Sequence, residues 1–384
     1  MQIKRVTNIP WNGRCLTAFV LLRGGPLAND SIVFPASSYL IHLARSSASE
    51  NSQQAAASDL KTFFSALENA GVKWDELTQN QMSGYLETTL MKEMHLCSKS
   101  IARHCSSLKG MYSYSNDWGL SEHLFDYSYT YFNDQYKEID GSKHKGFNLK
   151  LKKRYINEQL FQVILAHACE SPGFCRQRNE IIFEIGYHMG LRAHEVTIPE
   201  NFKITDLQEK IAISEKKEKL SFSVEIHGKG KKIRTVEVPP ALVEKLKIFI
   251  SGPRSKIPGN QLICSVKGTT LSRSFPTRIF NKAKSTALPR LKEKLKQLEK
   301  MEYEQYTINY QSVTRLSFHC LRHTFTTNLV TYCYASGIDP MTYVPNQLGH
   351  SHEQTTRQYI DFEATIYSRV HIRERFSVRE SDDE

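Results

Sequence analysis

The stretch Ser317-Phe318-His319-Cys320-Leu321-Arg322-His323 decides how this chain is read. Ser317 precedes a helix whose buried side is set by Leu321, Phe325 and Leu329 at i, i+4 and i+8, and His319 and Arg322 fall on a shared face. Downstream, Leu348-Gly349-His350 is followed nine residues later by Tyr359. Ser351-x-x-Gln354 resembles a capping box, which places His350 in a turn and Tyr359 about two turns into the next helix. Upstream, the run Ile181, Ile182, Ile185 and Met189 is interrupted at Gly190-Leu191-Arg192, with Glu195 at i+3 from Arg192. Between these lies Gly228-Lys229-Gly230, flanked by the alternating Phe222, Val224, Ile226 and Ile233, Val236, Val238. That pattern predicts a β-hairpin with Lys229 at its tip.

Two arginines, a lysine, two histidines and a tyrosine in this order suit one phosphodiester. Guanidinium groups clamp non-bridging phosphate oxygens in bidentate fashion, and a tyrosine oxygen can replace a sugar oxygen on phosphorus. A nucleotide loop is excluded at Lys229, because no Gly-x-x-x-x-Gly-Lys-Ser/Thr string is present and a strand follows. Zinc at His319, Cys320 and His323 lacks a further ligand at suitable spacing. No cofactor and no metal are expected. His323 and His352 read as ordinary helix or surface histidines.

Composition agrees with a nucleic-acid partner. The 384 residues suit two domains, each able to bury a core. Of the 51 Lys+Arg and 40 Asp+Glu, residues 1–150 hold 15 and 14, and residues 151–384 hold 36 and 26. Nearly all of the +11 charge therefore lies in the half with the motifs, and a basic surface attracts polyanions. The eight cysteines form no Cys-x-x-Cys pair, which argues for reduced thiols and a cytoplasmic protein. No signal peptide, membrane span or membrane partner is indicated.

Along the chain, residues 1–34 form an extension of extended or small-strand character. Residues 35–127 are predicted helical: Thr78-x-x-Gln81 is a capping box before a helix through Leu90, and Ile101, Cys105, Leu108 and Tyr112 form an apolar stripe behind Ser98. Lys99, Arg103 and Lys109 lie off that stripe, as a solvated face or a DNA-facing one. Residues 128–153 read as a linker. Lys150, Lys152, Lys153 and Arg154 cluster at its end and would lie against phosphates if the linker is a hinge. Residues 154–384 form the motif-bearing domain with a C-terminal tail. Within it, the charged run Pro289–Gln305 is expected to be a solvated helix or an accessory contact. Beyond Tyr359, the apolar Ile360, Phe362, Ile366 and Val370 offer a docking segment, onto this chain or a neighbour.

These motifs resemble the tyrosine recombinase family, of the phage integrase type. The match covers residues from about 155 to 362 by motif and the 35–125 region by helical pattern. Each motif alone is common; their order and spacing make the match specific. The resemblance implies a mainly α fold with a small antiparallel sheet, in two domains that close as a clamp on duplex DNA: a helical core-binding domain and an integrase-type catalytic domain. It implies Arg192 and Arg322 as the catalytic arginines, Glu195 as the supporting acid, Lys229 as the hairpin lysine, His319 and His350 as the catalytic histidines and Tyr359 as the nucleophile. In this scheme His319 takes the phenol proton, Lys229 protonates the leaving 5′ oxygen and His350 hydrogen-bonds the phosphate. A 3′-phosphotyrosine link would conserve bond energy, so no ATP is needed. A tetramer on two paired sites, with the C-terminal segment docked in trans and accessory DNA-bending or directionality factors, is the expected assembly. The expected role is integration or excision of a mobile element. Xer-like chromosome dimer resolution, type IB topoisomerase-like relaxation and a non-catalytic DNA-binding regulator are the alternatives. The long 289–305 segment and the N-terminal stretch depart from the compact family pattern.

Overall fold

The computed structural model describes residues 1–24, 32–121, 151, 153–228, 232–298, 312–349 and 353–364. It divides into two compact units, Met1–Gly141 and Ser142–Glu384.

The first unit opens with an antiparallel pair, β1 (Gln2–Trp11) and β2 (Arg14–Leu22), paired from Gln2↔Leu22 to Trp11↔Arg14 with a register shift between Val6 and Ile9. Asn12 and Gly13 turn the chain with φ of 45° and 72°, the left-handed pair that matches the twist of a two-residue hairpin. That Asn-Gly signal is legible in sequence and sharpens the extended reading of this segment into a defined hairpin over residues 2–22. β2 buries Ala18, Phe19 and Leu21 against α1 (Phe34–Arg45) and α2 (Glu50–Ala70). Then comes α3 (Gln79–Gly84), whose capping box forms as the spacing predicts: Gln81 N–H donates to Thr78 Oγ1 at 3.3 Å, and Thr78 N–H donates to Gln81 Oε1 at 2.8 Å. The chain continues as a π-helix, Tyr85–Glu93, before α4 (Ser98–Asp117). Leu60, Phe63, Ile101, Leu108 and Met111 are fully buried between these helices, and each such side chain contributes about 2 kcal/mol of hydrophobic stabilisation. Cys105 and Tyr112 join them, as the apolar stripe requires.

The second unit holds α5 (Glu158–Leu165), α6 (Phe174–Met189), α7 (Ala193–Val196) and α8 (Ile204–Lys216). The hairpin β3 (Phe222–His227) and β4 (Ile233–Val238) follows, paired from Phe222↔Val238 to His227↔Ile233, with Val224, Ile226, Val236 and Val238 inward. After it come α9 (Pro240–Ser251), α10 (Phe275–Leu298), α11 (Phe318–Ala335) and α12 (Pro340–Leu348). A last helical stretch, α13, spans 353–364. α6 is buried nearly all round, with Ile182, Phe183, Ile185 and Met189 fully enclosed, because helices and sheet pack on every side of it.

One expectation is corrected here. The charged run from Pro289 is a continuation of α10, and it is not merely solvated: Leu291, Leu295 and Leu298 are at most 1 % exposed and belong to the main core. Their i, i+4, i+7 spacing makes one apolar stripe, while Lys294 and Lys296 carry the charge around the rest of the helix. Residues 299–305 of that run lie outside the described residues, as does most of the 128–153 linker.

Candidate active site

Three turns meet around one buried carboxylate. α6 ends at Gly190, in the left-handed conformation at φ 64°; a Cβ there would lie 2.3 Å from Phe325 Cδ1, so the turn admits glycine alone. The next residues swing Arg192 to the N-cap of α7, and Glu195 reaches back to it. Glu195 Oε2 accepts from the Arg192 backbone N–H at 2.8 Å and Oε1 accepts from Arg192 Nη1 at 3.0 Å. The expected Arg192–Glu195 pair is therefore not a surface salt bridge. Glu195 has no exposed side-chain surface, whereas Arg192 is one-third exposed.

Arg234, on β4, grips the same carboxylate: Nη1 donates to Oε1 at 3.0 Å and Nη2 to Oε2 at 2.8 Å. Its Nε donates to the carbonyl of Gln347 at 2.9 Å, at the end of α12. Burial alone would raise the Glu195 pKa, but the Arg234 fork, the Arg192 N–H and the Arg322 charge outweigh it and hold the carboxyl down at about 2. Arg234 was not among the sequence candidates, since its signal was submerged in a strand read only for its alternating apolar positions.

Arg322 is 3 % exposed. Its Nη1 donates to Gly190 O and its Nη2 to Leu348 O, each at 2.7 Å. The second motif arginine thus ties the turn before Arg192 to the turn before His350. Burial, then repulsion from Arg192, lower its pKa to about 9, so it stays cationic at neutral pH. His319, one turn earlier on α11, keeps an exposed edge. Burial of part of the ring and repulsion from Arg322, Arg192 and Arg154 lower its pKa to about 4. Because that edge remains wet, the guanidinium repulsion is the more durable of these causes, and the imidazole is neutral at pH 7.

Tyr359, on α13, is 5 % exposed and packs with Val330, Val344, Leu348 and Phe362. Its hydroxyl lies 2.6 Å from His323 Nδ1. Burial pushes the phenol up to about 12, against the opposing pull of Arg322, a Thr326 hydrogen bond, Arg154 and Arg192. The reading of His323 as an ordinary helix or surface histidine is corrected by this contact. His323 and Tyr359 are 36 residues apart and meet only because α13 lies along α11. His319 makes no hydrogen bond to Tyr359 among the described residues.

Arg192, Glu195, His319, Arg322 and Tyr359 are thereby brought into one neighbourhood. Lys229 and His350 lie outside the described residues, but both preceding glycines border the cluster. A Cβ on Gly228 would be 3.2 Å from Glu195 Oε1, and one on Gly349 3.2 Å from Arg234 Cδ. Of the basic residues, Arg154 stands beside the site, with Nη1 3.5 Å from His323 Nε2, and Lys153 is exposed next to it. Lys150 and Lys152 lie outside the described residues. Lys99, Arg103 and Lys109 are exposed on α4 of the other unit. Arg103 is partly committed there, since its Nη2 is 2.8 Å from the buried Asp59 carboxylate.

Among the described residues no group of three or more His, Cys, Asp or Glu is placed to hold a metal ion, and no helix is long and apolar enough to cross a membrane.

Comparison with known proteins places this arrangement. Residues 154–365 match the phage integrase family, and residues 36–117 match the phage integrase N-terminal SAM-like domain. A tyrosine recombinase of Pseudothermotoga lettingae is 24 % identical over 84 % of this chain and 91 % of its own length. Tyrosine recombinase XerC of Pseudomonas fluorescens is 26 % identical over 72 % of this chain and 75 % of its own. The crystal structure of XerH site-specific recombinase bound to palindromic difH substrate, a post-cleavage complex, shares the fold. Its TM-score is 0.55 at 19 % identity, covering 89 % of this chain and 84 % of that one. The mainly helical fold, its small antiparallel hairpins and these matches agree: the chain belongs to the phage integrase family and is an enzyme of the tyrosine recombinase type.

Proposed function

We propose that this protein breaks and rejoins duplex DNA at specific sites through a 3′-phosphotyrosine link to Tyr359. The observation that carries the reading is the buried phenol of Tyr359, its hydroxyl 2.6 Å from His323 Nδ1 on the helix that also carries Arg322. A phenol attacks poorly at neutral pH unless positive charge stabilises the developing phenolate and a neighbour accepts its proton. Arg192 and Arg322 would hold the non-bridging oxygens of the scissile phosphate, and fixed guanidinium groups favour the extra charge of the five-coordinate transition state. Glu195 would keep Arg192 aimed. His319 and His350 would complete the phosphate site, and Lys229 would protonate the leaving 5′ oxygen. Exchange of one phosphodiester for another makes the step reversible, so a 5′ hydroxyl from a second strand reseals the DNA.

In this reading Lys99, Arg103 and Lys109 of the first unit and Lys150, Lys152, Lys153 and Arg154 of the second neutralise backbone phosphates of a duplex in the cytoplasm. Four copies act on two paired sites. An open groove lined by Tyr155, Tyr187, Leu329, Tyr332 and Tyr343 supports docking of a neighbour's C-terminal segment on this unit. Integration or excision of a mobile element is the proposed role. The XerC name of the curated relatives favours a second reading, chromosome dimer resolution.

The test is incubation of wild-type and Tyr359→Phe protein with nicked suicide duplexes from the ends of a candidate element and, separately, from the chromosomal terminus. A covalent protein–DNA band on a denaturing gel for wild type only is the expected result. Its substrate separates the two roles, and retained cleavage by Tyr359→Phe refutes the mechanism.

A further inference from the structure

The Tyr359 hydroxyl is held by the histidine that follows the second arginine, not by the one three residues before it. His323 Nδ1 lies 2.6 Å from the Tyr359 oxygen, with the two rings tilted by 31° at 5.9 Å between centroids. The His319 ring stands nearly perpendicular to that of His323, 4.6 Å away, with no hydrogen bond to the phenol. On the far side of His323, Arg154 brings Nη1 to 3.5 Å from Nε2. A guanidinium only donates, so this approach fits a ring whose Nε2 carries a lone pair. The ring proton then sits on Nδ1 and is donated to the phenol oxygen. In that tautomer His323 holds Tyr359 in place but cannot accept its proton.

Arg154 is exposed and belongs to the basic cluster at the entry to the second unit, so a polyanion reaches it readily. Other charges act near the ring: Arg322 and His319 on its own helix, and Arg192, whose charge also reaches Tyr359. All of these are cationic or neutral at pH 7, and removal of Arg154 takes away the guanidinium that approaches Nε2. The ring proton can then move to Nε2 through solvent, which turns the Nδ1 lone pair toward the phenol.

We propose that His323 is the proton acceptor for Tyr359, and that Arg154 keeps it in the non-accepting tautomer until a DNA phosphate draws the guanidinium away. This rests on the strand-exchange reading above. In the step, the Tyr359 oxygen bonds to phosphorus as its proton passes to His323 Nδ1, giving an imidazolium. The bond from phosphorus to the 5′ oxygen breaks with its electron pair, and that oxygen takes a proton from the general acid assigned to Lys229. Resealing runs the same transfers backwards, with the imidazolium returning its proton to the departing phenolate. Attack is thereby coupled to DNA contact at Arg154, which keeps the free enzyme's nucleophile quiet.

Two experiments test it. The tautomer of His323 is read in the free protein from long-range proton–nitrogen correlations of the imidazole. The expected result is Nδ1–H in wild type, and Nε2–H both in Arg154→Met and on adding a random-sequence duplex at low salt. Nε2–H in the free wild type, or no change in either arm, overturns the role of Arg154. Covalent-complex formation on the suicide duplex is then followed for His323→Ala. A loss of about 100-fold at pH 7 with unchanged gel-shift binding, recovered at least about 10-fold by free imidazole or by raising the pH, is expected. A rate within about threefold of wild type, or a loss that neither treatment recovers, overturns the proton-acceptor role. A wild-type protein that forms no covalent complex on duplexes it binds removes the strand-exchange reading itself, a failure distinct from that of His323→Ala alone.

Discussion

The two sides of the site are built differently. The arginine side is locked: Glu195 is enclosed by Arg192 and Arg234, while Arg322 and Arg234 also hold backbone carbonyls of Gly190, Leu348 and Gln347. The phenol side is packed, but its polar contacts lead outward: the buried Tyr359 meets His323, and His323 meets an exposed arginine at the limit of hydrogen-bond distance. The difference teaches where rigidity is needed. In the proposed reaction, charge needed before the phosphate arrives is fixed by the fold, whereas the group proposed to move a proton is left adjustable.

Damage on the arginine side is therefore expected to cost stability as well as rate. Glu195→Leu leaves Arg192, Arg234 and Arg322 without their shared counter-charge. The expected loss is about 3–5 kcal/mol in denaturant unfolding, with covalent-complex formation abolished. Arg234→Lys keeps a positive charge but not the fork on Glu195 or the bond to Gln347 O. About 2 kcal/mol of destabilisation, a slower cleavage rate and unchanged DNA affinity are expected; an unaltered rate would mean that Arg234 braces nothing. On the phenol side, Tyr359→Phe should end cleavage while altering unfolding free energy by only about 1–2 kcal/mol, because only modest hydrogen bonds to the hydroxyl are lost from a packed ring.

Acid sharpens the same contrast. The Glu195 pKa is depressed from 4.5 to about 2, so its contribution is present above pH 4.5 and is lost as pH falls toward 2. The His319 pKa is depressed from 6.5 to about 4; the unfolded chain binds the proton more readily, so stability declines as pH falls from 6.5 toward 4. The His319 effect is the smaller, since that ring is open to solvent. A urea midpoint series from pH 7 to pH 3 on wild type and His319→Gln should show a shallow slope above pH 4.5 that the variant lacks, and a steeper one below that both share.

Much of the arginine side was legible from order and spacing. Gly190-Leu191-Arg192, Glu195, and His319 with Arg322 are local patterns, and a helix end followed by a cap is a local event. Arg234 escaped because a strand position reads as inward or outward, not as a hand for a carboxylate 39 residues away. The burial of Leu291, Leu295 and Leu298 could have been found: the 4,3 spacing was present inside the charged run, and composition hid it.

By itself, the sequence determined the proposed chemistry, because residue type and interval are what a phosphate clamp and a nucleophile would require. It also determined the periodic helices and the β3–β4 hairpin, whose signals lie within a few residues of one another. Tertiary structure alone decided the partner of each reactive group: that Arg234 closes on Glu195, that Arg322 binds two turns together, and that His323 rather than His319 touches Tyr359. Such pairings depend on how α11, α13 and β4 pack, and packing is settled by the whole core, whose contacts no single motif encodes.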